Sequence, residues 1–162
     1  MEGTIRIATI NTFGQLKLTN AKQSQIEDFL KAYNIDIAML QETESDENSF
    51  KNHFIDANFN VICNNASTGF GTAVLIKNDI SFNNIRMDTE GKTILFDAND
   101  VTFGNIYLQS GTDAISRQNR EHYISYVLPN LLMNCKNINL VGADWNSITH
   151  KSDATAYADS KL

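Results

Sequence analysis

The stretch IDIAMLQET, residues 35–43, constrains the fold most strongly, because from Ile37 to Leu40 no polar residue interrupts it. A strand of that composition offers no face to water and calls for cover on both sides. The flanking sequence supplies the covering elements. TIRIATIN, residues 4–11, alternates Ile5, Ile7 and Thr9 on one side with Arg6, Ala8 and Ile10 on the other, the pattern of another strand. Between them, NAKQSQIEDFLKAYN places Ile26, Phe29, Leu30 and Tyr33 at i, i+3, i+4 and i+7, which predicts an amphipathic helix with those four residues on its inner stripe.

Beyond residue 43, SDENSFKNHF reads as a short helix. FNVIC, GTAVLIK, ISFNNIRM, TILFDA and VTFGNIYL then read as strands divided by turn-rich pieces such as NNASTGFG and KND. SRQNREHYISYVLPNLLMN carries Ile124, Val127, Leu128 and Leu131 at helical spacing, with Pro129 expected to kink or restart the helix because it lacks a backbone N–H. INLVGAD closes the series as a strand. A β-α-β opening, a strand-rich middle and a β-α-β close predict an α/β protein with sheets held between helices, in a single domain over residues 1–162.

Composition narrows the function classes. The chain has 19 acidic and 13 basic residues and a formal charge of -6, so long-range attraction to nucleic acid is excluded and any DNA contact must be local. The two cysteines, Cys63 and Cys135, lie in apolar surroundings without CxxC spacing, as reduced thiols of an intracellular protein do. No apolar run reaches the roughly 18 residues of a membrane span, and the MEGTIRI start lacks the features of a signal peptide.

Three predicted strands end on polar residues: Asn11 after IATI, Glu42 after AMLQ, and Asp144 with Asn146 in NLVGADWN. Ligands of α/β sheets bind beyond the carboxyl ends of strands, so neighbouring parallel strands would gather two carboxylates and two amides in one pocket. Such a set suits Mg²⁺, which takes oxygen ligands, commonly one or two carboxylates plus substrate phosphates. Glu42 suits a metal ligand, and Asp144 a general base for an attacking water. Each residue also has an ordinary use: a turn at Asn11, a solvated strand end at Glu42, an Asx turn at Asp144 and Asn146, and core packing with a hydroxyl at the rim for Tyr107.

The segments IRIATINTFGQ, DIAMLQET, GFGTAVLIKN, FGNIYLQSGTD, NREHYISYVLPNLL and NLVGADWNSITHKSDAT resemble the endonuclease/exonuclease/phosphatase family. Within it they are most similar to the apurinic-type endonuclease domain of non-LTR (LINE-type) retrotransposon polyproteins, with LQET and GADWN the most specific pieces. The resemblance implies a two-sheet α/β sandwich with helices on the outside. It implies Asn11 at the scissile phosphate, Glu42 as the Mg²⁺ ligand (Mn²⁺ being possible in its place), Tyr107 approaching the phosphate, Asp144 activating water and Asn146 holding the arrangement. The implied activity is nicking of target DNA so that a 3′ hydroxyl primes reverse transcription. A reverse transcriptase domain in the same polyprotein, no membrane partner and a nuclear location go with it.

Two departures from the family pattern stand out. The family often has YxPS where this chain reads YLQS, so Gln109 is expected to leave that loop less rigid. The family also places an aspartate and a Ser-Asp-His cluster downstream of GxDxN, and Leu162 precedes them; the resemblance therefore implies the N-terminal two-thirds of the domain, incomplete at the C-terminus. His53, His122 and His150 do not stand in such a cluster and are read as surface residues. Lys92, Arg117, Arg120 and Lys151 are candidates for DNA phosphates or for solvated faces. Phe70 and Trp145 either flank a groove or pack, with packing expected of Trp145 because it alternates away from Asp144 and Asn146. Two other functions remain open: a phosphodiesterase or phosphatase of the same family acting on another substrate, and a binding fragment without turnover.

Overall fold

The computed structural model describes residues 4–13, 20–43, 47–65, 71–133, 135 and 138–146. Phe70, His150, Lys151 and the SDATAYADSKL tail lie outside them. The elements follow the predicted order: β1 (Ile7–Asn11), α1 (Asn20–Ala32), β2 (Ile37–Thr43), α2 (Glu47–Asp56), β3 (Phe59–Asn64), β4 (Gly71–Lys77), β5 (Phe82–Met87), β6 (Thr93–Ala98) and β7 (Val101–Tyr107). After these come α3 (Ala114–His122), a π-helical turn (Tyr123–Val127), α4 (Leu128–Leu132) and β8 (Leu140–Asp144).

The strands form two four-stranded sheets, ordered β1-β2-β4-β3 and β5-β6-β7-β8. In each sheet one edge pair is parallel, β1 with β2 and β7 with β8, and the remaining pairs are antiparallel. The sheets face each other across a core that includes Ile37, Met39, Val74, Ile76, Phe96 and Phe103. Ala38, Leu40 and Leu75 point the other way, into a second core with Leu30, Phe50 and Phe54 of α1 and α2. That division explains the unbroken apolar run of β2, which has a covered face on each side. A third cluster packs Ile106 and Leu108 against Tyr123 and Leu128 outside the second sheet. The result is a two-sheet α/β sandwich with helices on both outer faces, as the sequence predicts.

Three expectations change. The predicted parallel neighbours do not form one sheet: β1 and β2 lie in the first sheet and β8 in the second, so the polar tips meet across the sandwich rather than along a sheet edge. In α1, Leu30 is buried but Phe29 and Tyr33 are 40% and 61% exposed. The helix turns Gln23 and Leu30 inward with Ile26 between them, and the Tyr33 ring packs tilted against Phe29 with ring centroids 4.8 Å apart. In the third helical region, the Leu128 N–H bonds Tyr123 O, five residues back, so the π-turn rotates the apolar stripe. Tyr123, Val127, Leu128 and Leu132 then face the sheet, and Ile124 is 45% exposed. Pro129 lies in the first turn of the short helix that follows, where its missing N–H costs least. Among the described residues no helix is long and apolar enough to cross a membrane.

Outside the second sheet, Asn84 Nδ2 donates to Asp97 Oδ2 at 2.7 Å and Thr102 Oγ1 to Asp97 Oδ1 at 2.7 Å. These bonds, with the nearby Arg86 charge, hold the Asp97 carboxyl below its usual range despite an opposing contribution from burial. A group whose folded pKa is depressed contributes stability above its unfolded pKa and loses it as pH falls through the folded value. Asp97→Asn is therefore expected to lower Tm at pH 7, with the gap from wild type closing below about pH 4; thermal unfolding monitored by circular dichroism across pH 7 to 2.5 measures it.

Candidate active site

The site end of the sandwich is organised by two buried amides. Asn105, in the middle of β7, donates from Nδ2 to Leu40 O of β2 and to Ala73 O of β4, both at 2.9 Å. Those two residues are register partners, so one side chain ties a strand pair of the first sheet to the second. Its Oδ1 accepts from Gln41 Nε2 at 2.8 Å, and that same nitrogen lies 2.9 Å from Thr9 Oγ1 on β1. β8 approaches closely because Gly142 has no side chain; a Cβ there would lie 2.7 Å from Met39 Cε.

Directly beyond Gln41 the ladder is interrupted. Gln41 pairs with Thr72 and Thr43 with Gly71, leaving Glu42 as the extra residue of a β-bulge, at φ 56°. Thr12 supports the bulge: its N–H bonds Gln41 O at 2.9 Å, and its hydroxyl lies 3.0 and 2.8 Å from Gln41 O and Glu42 O. The bulge re-aims Glu42 toward the sandwich end. There Asn11 Nδ2 donates to Glu42 Oε1 at 3.1 Å and to Asp144 Oδ2 at 2.6 Å. The structure thus brings Asn11, Glu42 and Asp144 together across the two sheets around a single amide nitrogen.

The ordinary turn readings hold at the same positions. Asn11 Oδ1 accepts the Phe13 N–H at 2.7 Å, and Asp144 Oδ1 accepts the Asn146 N–H at 3.0 Å. These Asx turns occupy one oxygen of each side chain and leave Asn11 Nδ2 and Asp144 Oδ2 for the pair contact. Asn146, at φ 45°, sends Nδ2 to Leu108 O at 2.7 Å, which ties the chain after β8 to the chain after β7.

Tyr107, 3% exposed, is placed at the same end by its register with Asp144. Burial raises its phenol pKa most, followed by the Glu42 charge; a bond with Ser110 opposes them, and Asp144 adds to the rise. Tyr107 is therefore a neutral hydroxyl beside two acids, able to donate. Side chains of α3 and its cap hold the loop that follows. Arg120 Nη1 donates to Gln109 O and Gly111 O, both at 2.8 Å, and Asp113 caps α3 by accepting the Ser116 N–H at 2.9 Å.

The surrounding candidates separate. Arg120 is engaged by that loop, and Lys92 Nζ sits 2.5 Å from Glu90 Oε2 and 4.9 Å from the Tyr123 ring centroid, so neither presents a fully open charge. Trp145, expected to pack, is 41% exposed because pairing stops at Asp144. It lines a depression of about 450 Å³ with Thr9, Asn11, Gln41, Asp144 and Asn146. A larger concavity of about 980 Å³ lies outside β5–β7, where Asp97 is already engaged. His53 is half-buried with Nε2 2.9 Å from Glu27, and His122 stacks on Tyr126; neither lines the depression. Sequence reasoning missed Asn105, Gln41 and Thr12, although a lone Asn in the apolar strand VTFGNIY was a usable sign of a buried polar link.

The donor set fits a hard cation. Two carboxylates converge, and among the described residues neither has a lysine or arginine partner, which leaves their negative charge to a divalent ion.

Two facing mixed sheets with helices outside them form the sandwich found in AP endonucleases. The chain matches an AP endonuclease from Archaeoglobus fulgidus at TM-score 0.71 and 18% identity, covering 98% of this chain and 63% of that one. It matches D. rerio TDP2 complexed with a single-strand DNA product at TM-score 0.62 and 12% identity, over 89% of this chain and 61% of that one. The catalytic domain of human Nocturnin with bound sulfate gives TM-score 0.61 and 18% identity, over 88% and 65%. The chain therefore spans less than two thirds of each of these structures. No curated protein sequence matches it. The Endonuclease/Exonuclease/phosphatase family profile matches residues 8–155, and the chain belongs to that family.

Replacing Asn105 by Leu would remove its buried hydrogen bonds to the Leu40 and Ala73 carbonyls and to Gln41 Nε2, which keeps Thr9 Oγ1. A loss of about 3 kcal/mol in unfolding free energy is expected, measured by urea denaturation.

Proposed function

We propose that this chain carries a divalent-metal-dependent phosphodiesterase site that nicks DNA, serving as the endonuclease of a non-LTR retrotransposon polyprotein. The observation that carries the hydrolytic reading is the Asn11 amide held between Glu42 and Asp144 at the open end of the sandwich. Family membership supports phosphodiester hydrolysis, and the DNA product named with the D. rerio TDP2 structure supports a nucleic-acid substrate. The motif wording from IATIN to GADWN supports the retrotransposon assignment, with a reverse transcriptase in the same polyprotein and work in the nucleus.

Glu42 would hold the metal, aimed by its bulge. When bound, Mg²⁺ neutralises charge on the phosphate and leaving oxygen. Asp144 accepts a proton from the attacking water, with Asn11 and the Asn146 N–H fixing its two oxygens. Asn11, steadied by its own turn, would contact the phosphate with the Nδ2 hydrogen that here meets Glu42, a carboxylate the metal would engage instead. Tyr107 donates its hydroxyl hydrogen toward a phosphate oxygen, a role its raised pKa preserves at neutral pH. Asn146 locks the chain after β8 to Leu108 and so keeps Asp144 and Tyr107 in register.

Supercoiled plasmid should be nicked with Mg²⁺ and not with EDTA. Glu42→Ala should abolish the Mg²⁺-dependent rate, and Asp144→Asn should lower it by about 10²–10⁴. Undiminished activity in Glu42→Ala would remove the metal assignment. Faster cleavage of polyadenylate or phospholipid than of plasmid would move the substrate class.

A further inference from the structure

Tyr107 is the last residue of β7, and its backbone N–H reaches past β6 to Lys92 O at 2.8 Å. Lys92 ends the turn 88–92 that joins β5 to β6, so the position of Tyr107 depends on the shape of that turn. One carboxylate gathers the turn. Asp88 Oδ1 accepts from Thr93 N–H at 2.7 Å, Lys92 N–H at 3.0 Å and Asn64 Nδ2 at 2.8 Å, while Oδ2 accepts from Glu90 N–H at 3.0 Å. Asn64 reaches in from β3 and also bonds Thr93 O at 2.9 Å, and the Thr72 hydroxyl donates to Gly91 O at 3.2 Å. Both residues belong to the first sheet, so the turn is anchored across the sandwich, as Asn105 anchors the strand itself.

Asp88 is only 7% exposed, and both of its carboxylate oxygens are met by these N–H donors. From the helical side the Lys92 ammonium lies 4.9 Å from the centroid of the Tyr123 ring, and the Tyr123 hydroxyl meets Thr93 Oγ1 at 2.6 Å. We propose that Asp88 is a positioning residue for Tyr107: by closing the turn 88–92 it sets the Lys92 carbonyl that holds the Tyr107 amide, and with it the phenol, against the carboxylate pair.

The kinetic part of the test rests on the function proposed above; the structural part does not. In Asp88→Ala, hydrogen exchange followed by ¹⁵N NMR should speed up about tenfold or more at the Tyr107 amide, while Phe103 in the same strand stays protected. For plasmid nicking, kcat should fall about tenfold with KM within about twofold, and Asp88→Asn should recover most of the rate because it keeps an acceptor oxygen. Asp88→Ala combined with Tyr107→Phe should be no slower than Tyr107→Phe alone, since both act through one phenol. Multiplying rate losses, or unchanged exchange at Tyr107, would overturn the proposal. If Asp88→Ala does not fold, Asp88→Ser, whose single hydroxyl is too short to accept the four bonds of the turn, decides by exchange: faster Tyr107 relative to Phe103 supports it, and no difference overturns it. A wild-type chain that cleaves nothing would remove the functional reading alone, because the exchange comparison still decides the role of Asp88.

Discussion

The amide of Asn105 is the fixed point of this molecule. Most of the interior between the sheets is apolar, and apolar contact is non-directional, so by itself it specifies proximity without specifying register. Hydrogen bonds from one side chain to the carbonyls of Leu40 and Ala73 remove that freedom, since a slip of either strand would leave buried polar groups unpaired. Gln41 extends the link to Thr9, so β7, β4, β2 and β1 share one polar connection beneath the site. Glu42 directly follows Gln41, Asn11 stands two residues past Thr9 and Tyr107 two past Asn105, which is why the groups of the proposed chemistry inherit the order of the core.

Above that level the backbone departs from regular geometry. Phe13, Glu42 and Asn146 all have positive φ, a conformation that side-chain-bearing residues adopt at a cost of about 1–3 kcal/mol each. The cost is offset by bonds made only in that shape: Asn11 Oδ1 to the Phe13 amide, Thr12 to the Gln41 and Glu42 carbonyls, and Asp144 Oδ1 to the Asn146 amide. Turn-forming and site-forming uses of Asn11 and Asp144 are therefore not rivals. The turn occupies one oxygen and thereby orients the atom that meets the neighbouring side chain.

What could be read from the amino-acid pattern follows the same physics. The two-sided burial of β2 and the alternation of Ile5 and Ile7 against Ala8 and Ile10 were legible because strand periodicity maps directly onto layers. The rotation of α1 that exposes Phe29 was not, because a few tens of degrees decide which apolar side chain a helix turns inward. Likewise, the π-turn at Tyr123 adds a residue that no local preference announces. Strand tips bearing Asn11, Glu42 and Asp144 were visible, but their convergence depends on β8 joining the second sheet, a topological fact absent from any short segment. Asn105 and Asp88 escaped notice because their partners are mainly backbone groups, which every sequence contains and none displays.

The bracket that Arg120 places on Gln109 O and Gly111 O stands where the YxPS pattern of the resemblance would put a proline ring. A proline restricts the unfolded chain and so lessens the entropy lost on ordering the loop. A guanidinium does the reverse, leaving the unfolded loop unrestricted and immobilising a long side chain once the fold has formed. Order after Tyr107 is thus enthalpic in origin and expected to soften on warming before the strands do, giving the rim of the site a thermal response separate from that of the sandwich beneath it.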